Sequence, residues 1–247
     1  MMPFELIALV PALPLFAALL ITGLIVAGPA RGEAGEPLTA RITLTASALS
    51  LLTLLGLGAT ALAQGAPGQV LLGDWFASGN VRLPLSFAVD ALALGFGAVV
   101  GFIALVTLRF SANYMHREAG FHRFFLGMNL FAAGMLLIVL AGNAALAFVG
   151  WELAGLSSWL LIGYAYERGT ATQNAQRAFL TNRVGDAGFV LGLGLAYLWL
   201  GGVGWIDMAA GAARLPTLYV GLLVVGFDPV ADAEARASFI SLYAIPP

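Results

Sequence analysis

Long apolar runs separated by short polar segments recur along most of this chain. A helix that crosses a membrane needs about 20 consecutive, mostly apolar residues. Six runs meet this requirement: 4–27, 38–63, 87–110, 122–141, 143–165 and 177–200. A seventh run, 215–227, is too short to cross a bilayer unaided. The pattern therefore predicts an all-α fold, a polytopic transmembrane helix bundle of about six spans.

The segment between the second and third spans follows a different pattern. Two strand-like stretches, LLGDWF and VRLPLSF, flank the turn-forming pair Gly79-Asn80. This arrangement is typical of a β-hairpin, here a short one at the membrane surface. The chain is expected to divide into three parts: two transmembrane helices over 1–64, a transmembrane core over 65–214, and a divergent or truncated C-terminal segment over 215–247.

Composition excludes several classes of protein. Hydrophobic residues make up 60% of the chain and charged residues 10%, against about a quarter charged in a soluble domain. No basic stripe is present to neutralise phosphates, so nucleic acid is not an expected partner. With no cysteine, the chain cannot form disulfides or ligate iron–sulfur clusters through thiolates. We expect a multi-pass protein whose partner is the lipid bilayer.

The arginines predict the orientation of the chain. The first run has no basic residue before it, which favours a retained span over a signal peptide. Seven arginines follow the first, third and fifth spans: Arg31, Arg41, Arg109, Arg117, Arg123, Arg168 and Arg177. The opposite loops carry only Arg82 and Arg214. The positive-inside rule then places the N-terminus outside and the arginine-rich loops in the cytoplasm, in the inner (cytoplasmic) membrane of a cell.

One carboxylate lies deep in an apolar run. Glu152 is the only acidic residue between 128 and 166. If its helix begins near Asn143, a rise of 1.5 Å per residue places Glu152 about 14 Å deep, close to the bilayer midplane. A charge there costs about 3 kcal/mol or more, so an intramembrane carboxylate is interpreted first as functional. A neutral carboxylic acid that only holds helices together is the structural alternative.

A second polar cluster lies in the sixth span. Arg183 and Asp186 are three residues apart and share one helix face, a spacing suited to an ion pair. Their position is expected to be about two turns inside a helix that begins near Gln176. Asp186 is a candidate for a polar entry path, with Arg183 setting its protonation state. The alternatives are a static pair that locks helix packing and an arginine that snorkels to the cytoplasmic interface. Gly185 and Gly188 beside them predict close helix contact or a local bend.

Two histidines, His116 and His122, lie in a polar stretch after the third span. Histidine titrates near neutral pH, so a role in collecting protons is one interpretation. Solvated loop histidines are the favoured alternative. No further ligand stands at metal-binding spacing, so no metal site is predicted. Asp90, at the start of the third span, is expected to cap that helix.

Four stretches of the sequence together resemble the N-terminal half of the chain 5 / L subunit family of respiratory complex I. In chain order they are FAVDALAL, SANYMHREAGFHRFF, GNAALAFVGWELAGLSSWLLIGY and RAFLTNRVGDAGFVLGL. The resemblance covers about 74–195. It implies an antiporter-like, proton-translocating subunit of an NADH:quinone oxidoreductase, built in the family as two inverted repeats. It also implies that Glu152 is the family's glutamate and that Arg183 and Asp186 belong to its polar cluster.

The same resemblance implies which groups and partners to expect. It implies no flavin, iron–sulfur cluster or quinone on this chain, so no cofactor, and partners that are other membrane subunits. Arg177 stands where many relatives have lysine, and with His116 and His122 it forms the candidate proton entry.

The chain departs from the family in one respect. The family's glutamate works with a lysine on a broken seventh helix, and this chain has no lysine. A fragment, a truncated or frameshifted reading frame, or a split subunit would explain that difference. Two further alternatives remain open: a subunit of a Na⁺/H⁺ antiporter or inorganic-carbon uptake complex, and a non-conducting structural remnant.

Overall fold

The computed structural model describes residues 3–78 and 81–213. A 3₁₀-helix, Pro3–Ala8, leads into the first of seven α-helices. The helices are α1 (Leu9–Ala27), α2 (Gly32–Gln64), α3 (Ala91–Tyr114), α4 (Phe121–Leu140), α5 (Ala144–Ile162), α6 (Gly169–Leu200) and α7 (Trp205–Ala213). Two antiparallel strands, β1 (Gly68–Ser78) and β2 (Val81–Val89), separate α2 from α3.

The predicted fold class is confirmed. Within the described residues, six helices are long and apolar enough to cross a membrane, the first of them continuous with the 3₁₀-helix. The short run at 215–227 lies outside the described residues. Two helices begin earlier than predicted, α2 at Gly32 and α6 at Gly169. Hydropathy detects only the apolar part of a helix, whereas the backbone hydrogen bonds continue into its polar end.

The hairpin is present and longer than predicted. Strand pairing runs from Gly68 opposite Val89 to Ser78 opposite Val81, with two register shifts. The Gly79-Asn80 turn itself lies outside the described residues. Because β2 continues to Val89, α3 begins at Ala91, four residues later than predicted. Asp90 caps α3 as expected: its Oδ1 accepts the Ala93 N–H over 2.8 Å.

The hydrophobic core lies where α1, α2 and α4 meet the hairpin. Its fully buried side chains include Ile7, Val10, Leu54, Val89 and Leu140. The chain divides into two compact units, Met1–Leu193 and Gly194–Pro247. All site residues discussed below belong to the first unit.

Candidate functional site

The hairpin fixes the start of α5. Asn143 is fully buried, and its Nδ2 donates to Pro84 O over 2.7 Å and to Ser86 Oγ over 2.8 Å. Its Oδ1 accepts the Leu146 N–H over 2.7 Å, which caps the helix. The Gly142 N–H also donates to Ser86 O. The Asn143 side chain therefore joins strand β2 to the first turn of α5 and fixes where that helix begins.

The side of α5 that faces α4 is set by two glycines. A Cβ atom on Gly150 would lie 2.8 Å from the carbonyl oxygen of Gly134 and 2.8 Å from the backbone nitrogen of Ile138. A Cβ on Gly134 would meet the backbone of Ala154 at 2.8 Å. The two helices thus touch backbone to backbone, as small residues permit in membranes. This contact directs the face of α5 that carries Gly150 and Ala154 toward α4.

Glu152, Arg183 and Asp186 come together between α5 and α6. Arg183 Nη1 donates to Glu152 Oε2, and Arg183 Nε lies 3.0 Å from Asp186 Oδ2. The Nε–H does not point at that oxygen, so the second contact is an ion pair without a hydrogen bond. The Asp186 side chain is 7% exposed, against 29% for Glu152 and 33% for Arg183. We call these three residues the carboxylate–arginine triad.

Neighbouring side chains hold the triad in position. Trp151 donates its indole Nε1–H to Asp186 Oδ1 over 2.8 Å. The guanidinium of Arg183 stacks on the Phe179 ring, with its Cζ 4.8 Å from the ring centroid. Gly155 provides the room, because a Cβ there would lie 3.2 Å from Arg183 Nη2. The triad therefore has an aromatic support on α6 and a matching glycine on α5.

The charge balance of the triad leaves room for a proton. Arginine is effectively always charged, so one cation faces two carboxyl groups. With both carboxyls ionised the triad carries a net negative charge, which is costly at the centre of a bilayer. One added proton makes it neutral.

The structure places Arg183 and Asp186 deeper in their helix than predicted. Because α6 begins at Gly169 rather than near Gln176, Arg183 lies about four turns from its start at 3.6 residues per turn. Of the two predictions for Gly185 and Gly188, close helix contact is wrong for the described residues, because a Cβ on either glycine would meet nothing within 4 Å. A local bend stays a prediction. These glycines lie on the open side of α6.

The structure separates Arg177 from the two candidate entry histidines, which both contact the N-terminal part of α2. His116 remains in the loop after α3, with its side chain 51% exposed and its Nδ1 2.7 Å from Glu36 Oε2. The interpretation of His122 as a solvated loop residue is wrong. Because α4 begins at Phe121, His122 lies in the first helical turn and is 8% exposed. Arg177 is exposed on α6, and no described contact joins it to either histidine.

Sequence reasoning missed two contributors. The sequence does not predict the role of Trp151, because an indole beside Glu152 in the chain gives no sign that it reaches a different helix. Glu36 was passed over because it lies before the second predicted span, yet it is 5% exposed in α2. A signal was available for Glu36: hydroxyl residues follow it at helical spacing, at Thr39, Thr43 and Ser47.

Comparisons with known proteins agree with this fold. Residues 75–125 match the family model described as NADH-ubiquinone oxidoreductase (complex I), chain 5 N-terminus. Residues 141–227 match the model described as NADH:quinone oxidoreductase/Mrp antiporter, TM. The membrane-bound sulfane sulfur reductase, an archaeal respiratory membrane complex, contains a chain that aligns at a TM-score of 0.68 and 18% identity, covering 86% of this chain and 40% of that one. At this identity the structural likeness shows the fold alone.

Curated relatives give the same result. The NAD(P)H-quinone oxidoreductase subunit 5 of Nephroselmis olivacea chloroplasts is 35% identical over 215 residues, 87% of this chain and 32% of the relative. Subunit L of the NADH-quinone oxidoreductase of Mycobacterium tuberculosis is 36% identical over 154 residues, 61% of this chain and 24% of the relative. This chain therefore spans about a third or less of the length of these relatives.

The residues and the comparisons together define a class, that of antiporter-like membrane subunits of respiratory complexes. Within that class the chain belongs to the complex I chain 5 / L family.

Proposed function

We propose that this chain contributes part of a proton path to a proton-translocating NADH:quinone oxidoreductase, and that the carboxylate–arginine triad carries the proton. The observation that supports this is the contact of one arginine with two carboxyl groups near the middle of two membrane-spanning helices. The triad gains a proton and becomes neutral, then loses it and becomes negative. Arg183 remains charged throughout and shifts its contact toward whichever carboxyl is ionised.

The proposal includes partners. Glu152 and Arg183 are each about a third exposed in this chain, at a depth where charge exposed to lipid is costly. A further helix that covers the triad would remove that cost and supply the next group in the path. The relatives are subunits of NADH-quinone oxidoreductases, so we propose that other membrane subunits, or further helices of the same kind of subunit, pack over this face of α5 and α6.

The orientation is part of the same proposal. With the N-terminus outside, the loop that holds His116 faces the cytoplasm and the β-hairpin faces the opposite side. The triad then lies between the two surfaces, where a proton carrier has to be. Protons would reach it from the cytoplasmic side in the direction of respiratory proton pumping.

A test of the proposal is proton movement by the membrane complex purified through this chain and reconstituted in proteoliposomes. NADH-driven acidification is compared for the wild type, Glu152→Gln and Glu167→Gln. Glu167 lies in the loop after α5, so its change is a matched control with the same chemistry. We expect Glu152→Gln to abolish most proton movement while the control retains it. Equal proton movement in all three would support the non-conducting alternative.

The description of the family model that matches 141–227 also includes Mrp antiporters. A subunit of a Na⁺/H⁺ antiporter is therefore a second candidate function. The same proteoliposomes separate the two. Sodium efflux driven by a pH gradient, without any response to NADH and quinone, would favour the antiporter. Response to NADH and quinone without sodium movement favours the oxidoreductase.

A further inference from the structure

A row of polar residues is buried along one face of α2. Glu36, Thr39, Thr43, Ser47 and Ser50 follow one another at intervals of three or four residues, and each is 5% exposed or less. Because this spacing matches the helical repeat, the five side chains lie on one side of the helix. We call them the α2 polar file. It spans about 21 Å of helix at 1.5 Å per residue.

The file stops halfway along the helix. The same face continues with Leu54 and Leu57, which are 1% and 3% exposed. Ser50 lies near the middle of α2, whose bounds are Gly32 and Gln64. One half of this buried face is therefore polar and the other apolar. At the boundary between the two halves, Ser50 Oγ donates to Val10 O of α1 over 2.6 Å, which closes the polar row.

Side chains of α4 complete the file. His122 Nδ1 lies 2.8 Å from Thr39 Oγ1, and Asn129 Nδ2 donates to Thr43 Oγ1 over 2.8 Å. His122 Nε2 lies 3.2 Å from Gly32 O. A carbonyl oxygen only accepts, so Nε2 is the donor of this contact and Nδ1 faces the Thr39 hydroxyl. The hydroxyl of Thr39 can donate to that nitrogen or accept from it.

One atom in the file has an unfilled hydrogen-bonding capacity. Asn129 is fully buried and its Nδ2 is fixed by Phe125 O at 2.7 Å and by Thr43, but its Oδ1 has no partner among the described residues. Buried polar atoms in proteins almost always find a partner, either protein or water. A water molecule that donates to Asn129 Oδ1 would supply the missing hydrogen bond, beside the hydroxyl groups of the file.

The end of the file at Glu36 lies next to a solvent-exposed loop. Glu36 accepts the Arg117 N–H over 3.0 Å and contacts the half-exposed His116. Arg117 has a φ of 69°, a left-handed conformation that costs about 1 kcal/mol or more in a residue other than glycine. The loop thus holds a strained backbone that directs its N–H at a buried carboxylate. Strain of this kind concentrates at functional positions.

We infer that the α2 polar file is a water-accessible half-channel, with its mouth at Glu36 and His116 and its closed end at Ser50. Protons can pass between its waters and the His122 imidazole. The half-channel uses none of the residues of the carboxylate–arginine triad. If no water enters the file, the proposed role of Glu152 is not affected. If Glu152 carries no proton, the inference about the file is not affected.

Cysteine accessibility tests this inference without background, because the chain contains no cysteine. Thr43→Cys and Ser47→Cys place a thiol in the file with little change in size. Thr45→Cys is the matched control: Thr45 lies between them, is exposed on the opposite side of α2 and bonds to its own helix backbone at Arg41 O. Each variant of the full chain, in proteoliposomes, is treated with a membrane-impermeant, charged methanethiosulfonate.

We expect the thiols at 43 and 47 to react at least about tenfold faster than the thiol at 45, because the reactive thiolate forms only where water reaches it. Ala133→Cys, in the α4 core at 1% exposure, checks that the fold is closed and should stay unlabelled. His116→Cys, in the loop, shows that the reagent is active. No reaction at 43 and 47 while the thiol at 116 reacts fully would overturn the half-channel. Faster reaction at 45 than at 43 would do the same.

Discussion

Gly155 of α5 lies against the guanidinium of Arg183 of α6, so that a Cβ at 155 would stand 3.2 Å from Nη2. The absence of a side chain at this position leaves room for the guanidinium beside Glu152. The contact of Arg183 with Asp186 lies within α6 and does not involve this glycine.

Gly155→Ala should displace the guanidinium by a few tenths of an ångström and loosen its contact with Glu152. We expect reduced proton movement with a change in unfolding free energy below about 1 kcal/mol, since the end of a flexible side chain can give way. Gly188→Ala is the control, because a Cβ there meets nothing within 4 Å. If both variants conduct like the wild type, the position of the guanidinium has no bearing on proton movement.

Gly150→Ala should be far more damaging to stability. Its Cβ would meet backbone atoms of Gly134 and Ile138 at 2.8 Å, and backbone cannot move aside as a side chain can. We expect a loss of about 1–3 kcal/mol, the usual cost of overpacking. Unfolding in mixed detergent micelles, followed by tryptophan fluorescence, measures it. Gly185→Ala, on the open side of α6, should cost nothing; an equal loss in both variants would contradict the close contact of α4 and α5.

Asn143→Ala should weaken the joint between the hairpin and α5. The change removes the cap on Leu146 and leaves the half-buried Pro84 carbonyl and the buried Ser86 hydroxyl without their donor. Together these amount to about 2–4 kcal/mol. Asn143→Ser retains a capping oxygen and should lose less. The same unfolding assay ranks the variants, and equal stability of Asn143→Ala and the wild type would show that the hairpin does not hold α5.

Tyr164, in the loop after α5, should make stability depend on alkaline pH. Burial raises the pKa of Tyr164 above its ordinary value of 10.0, the Glu118 carboxylate adds to this, and Arg123 opposes it. The folded chain then holds the phenolic proton more tightly than the unfolded chain. Stability from this group is complete below pH 10 and is lost as the pH rises through the folded pKa.

Tyr164→Phe should remove that alkaline dependence. The difference in ultraviolet absorbance between the wild type and Tyr164→Phe, recorded against pH, isolates one phenol among the six tyrosines. We expect the isolated phenolate to form above pH 10. Ionisation at or below pH 10 would contradict the burial of this side chain.

The number of spans and the hairpin could be predicted from the sequence because apolar length and strand alternation are local properties. The pairing of Arg183 with Asp186 could also be predicted, since both lie on one turn of one helix. The contact of Arg183 with Glu152 could not, because it depends on how α5 and α6 are rotated against each other. The backbone contact of Gly134 with Gly150 sets only how α5 faces α4, and α6 takes no part in it.

The environment of the His122 side chain also could not be predicted from the sequence. Its position at a helix start differs by only a residue or two from a loop position, which local patterns do not resolve. Burial of the imidazole depends on α2 lying beside it, and α2 is some 80 residues earlier in the chain. The sequence therefore identifies His122 as a polar candidate but does not predict its buried environment.

The central claim is that the carboxylate–arginine triad holds an exchangeable proton. Infrared difference spectroscopy of the reconstituted complex observes that proton directly, through the carbonyl stretch of a protonated carboxyl group and its shift in D₂O. We predict a carboxylic acid band that shifts in D₂O and is lost in Glu152→Gln or altered in Asp186→Asn, while Glu167→Gln leaves it intact. A spectrum with no such band, or one whose band is unchanged by both triad substitutions, would contradict the account.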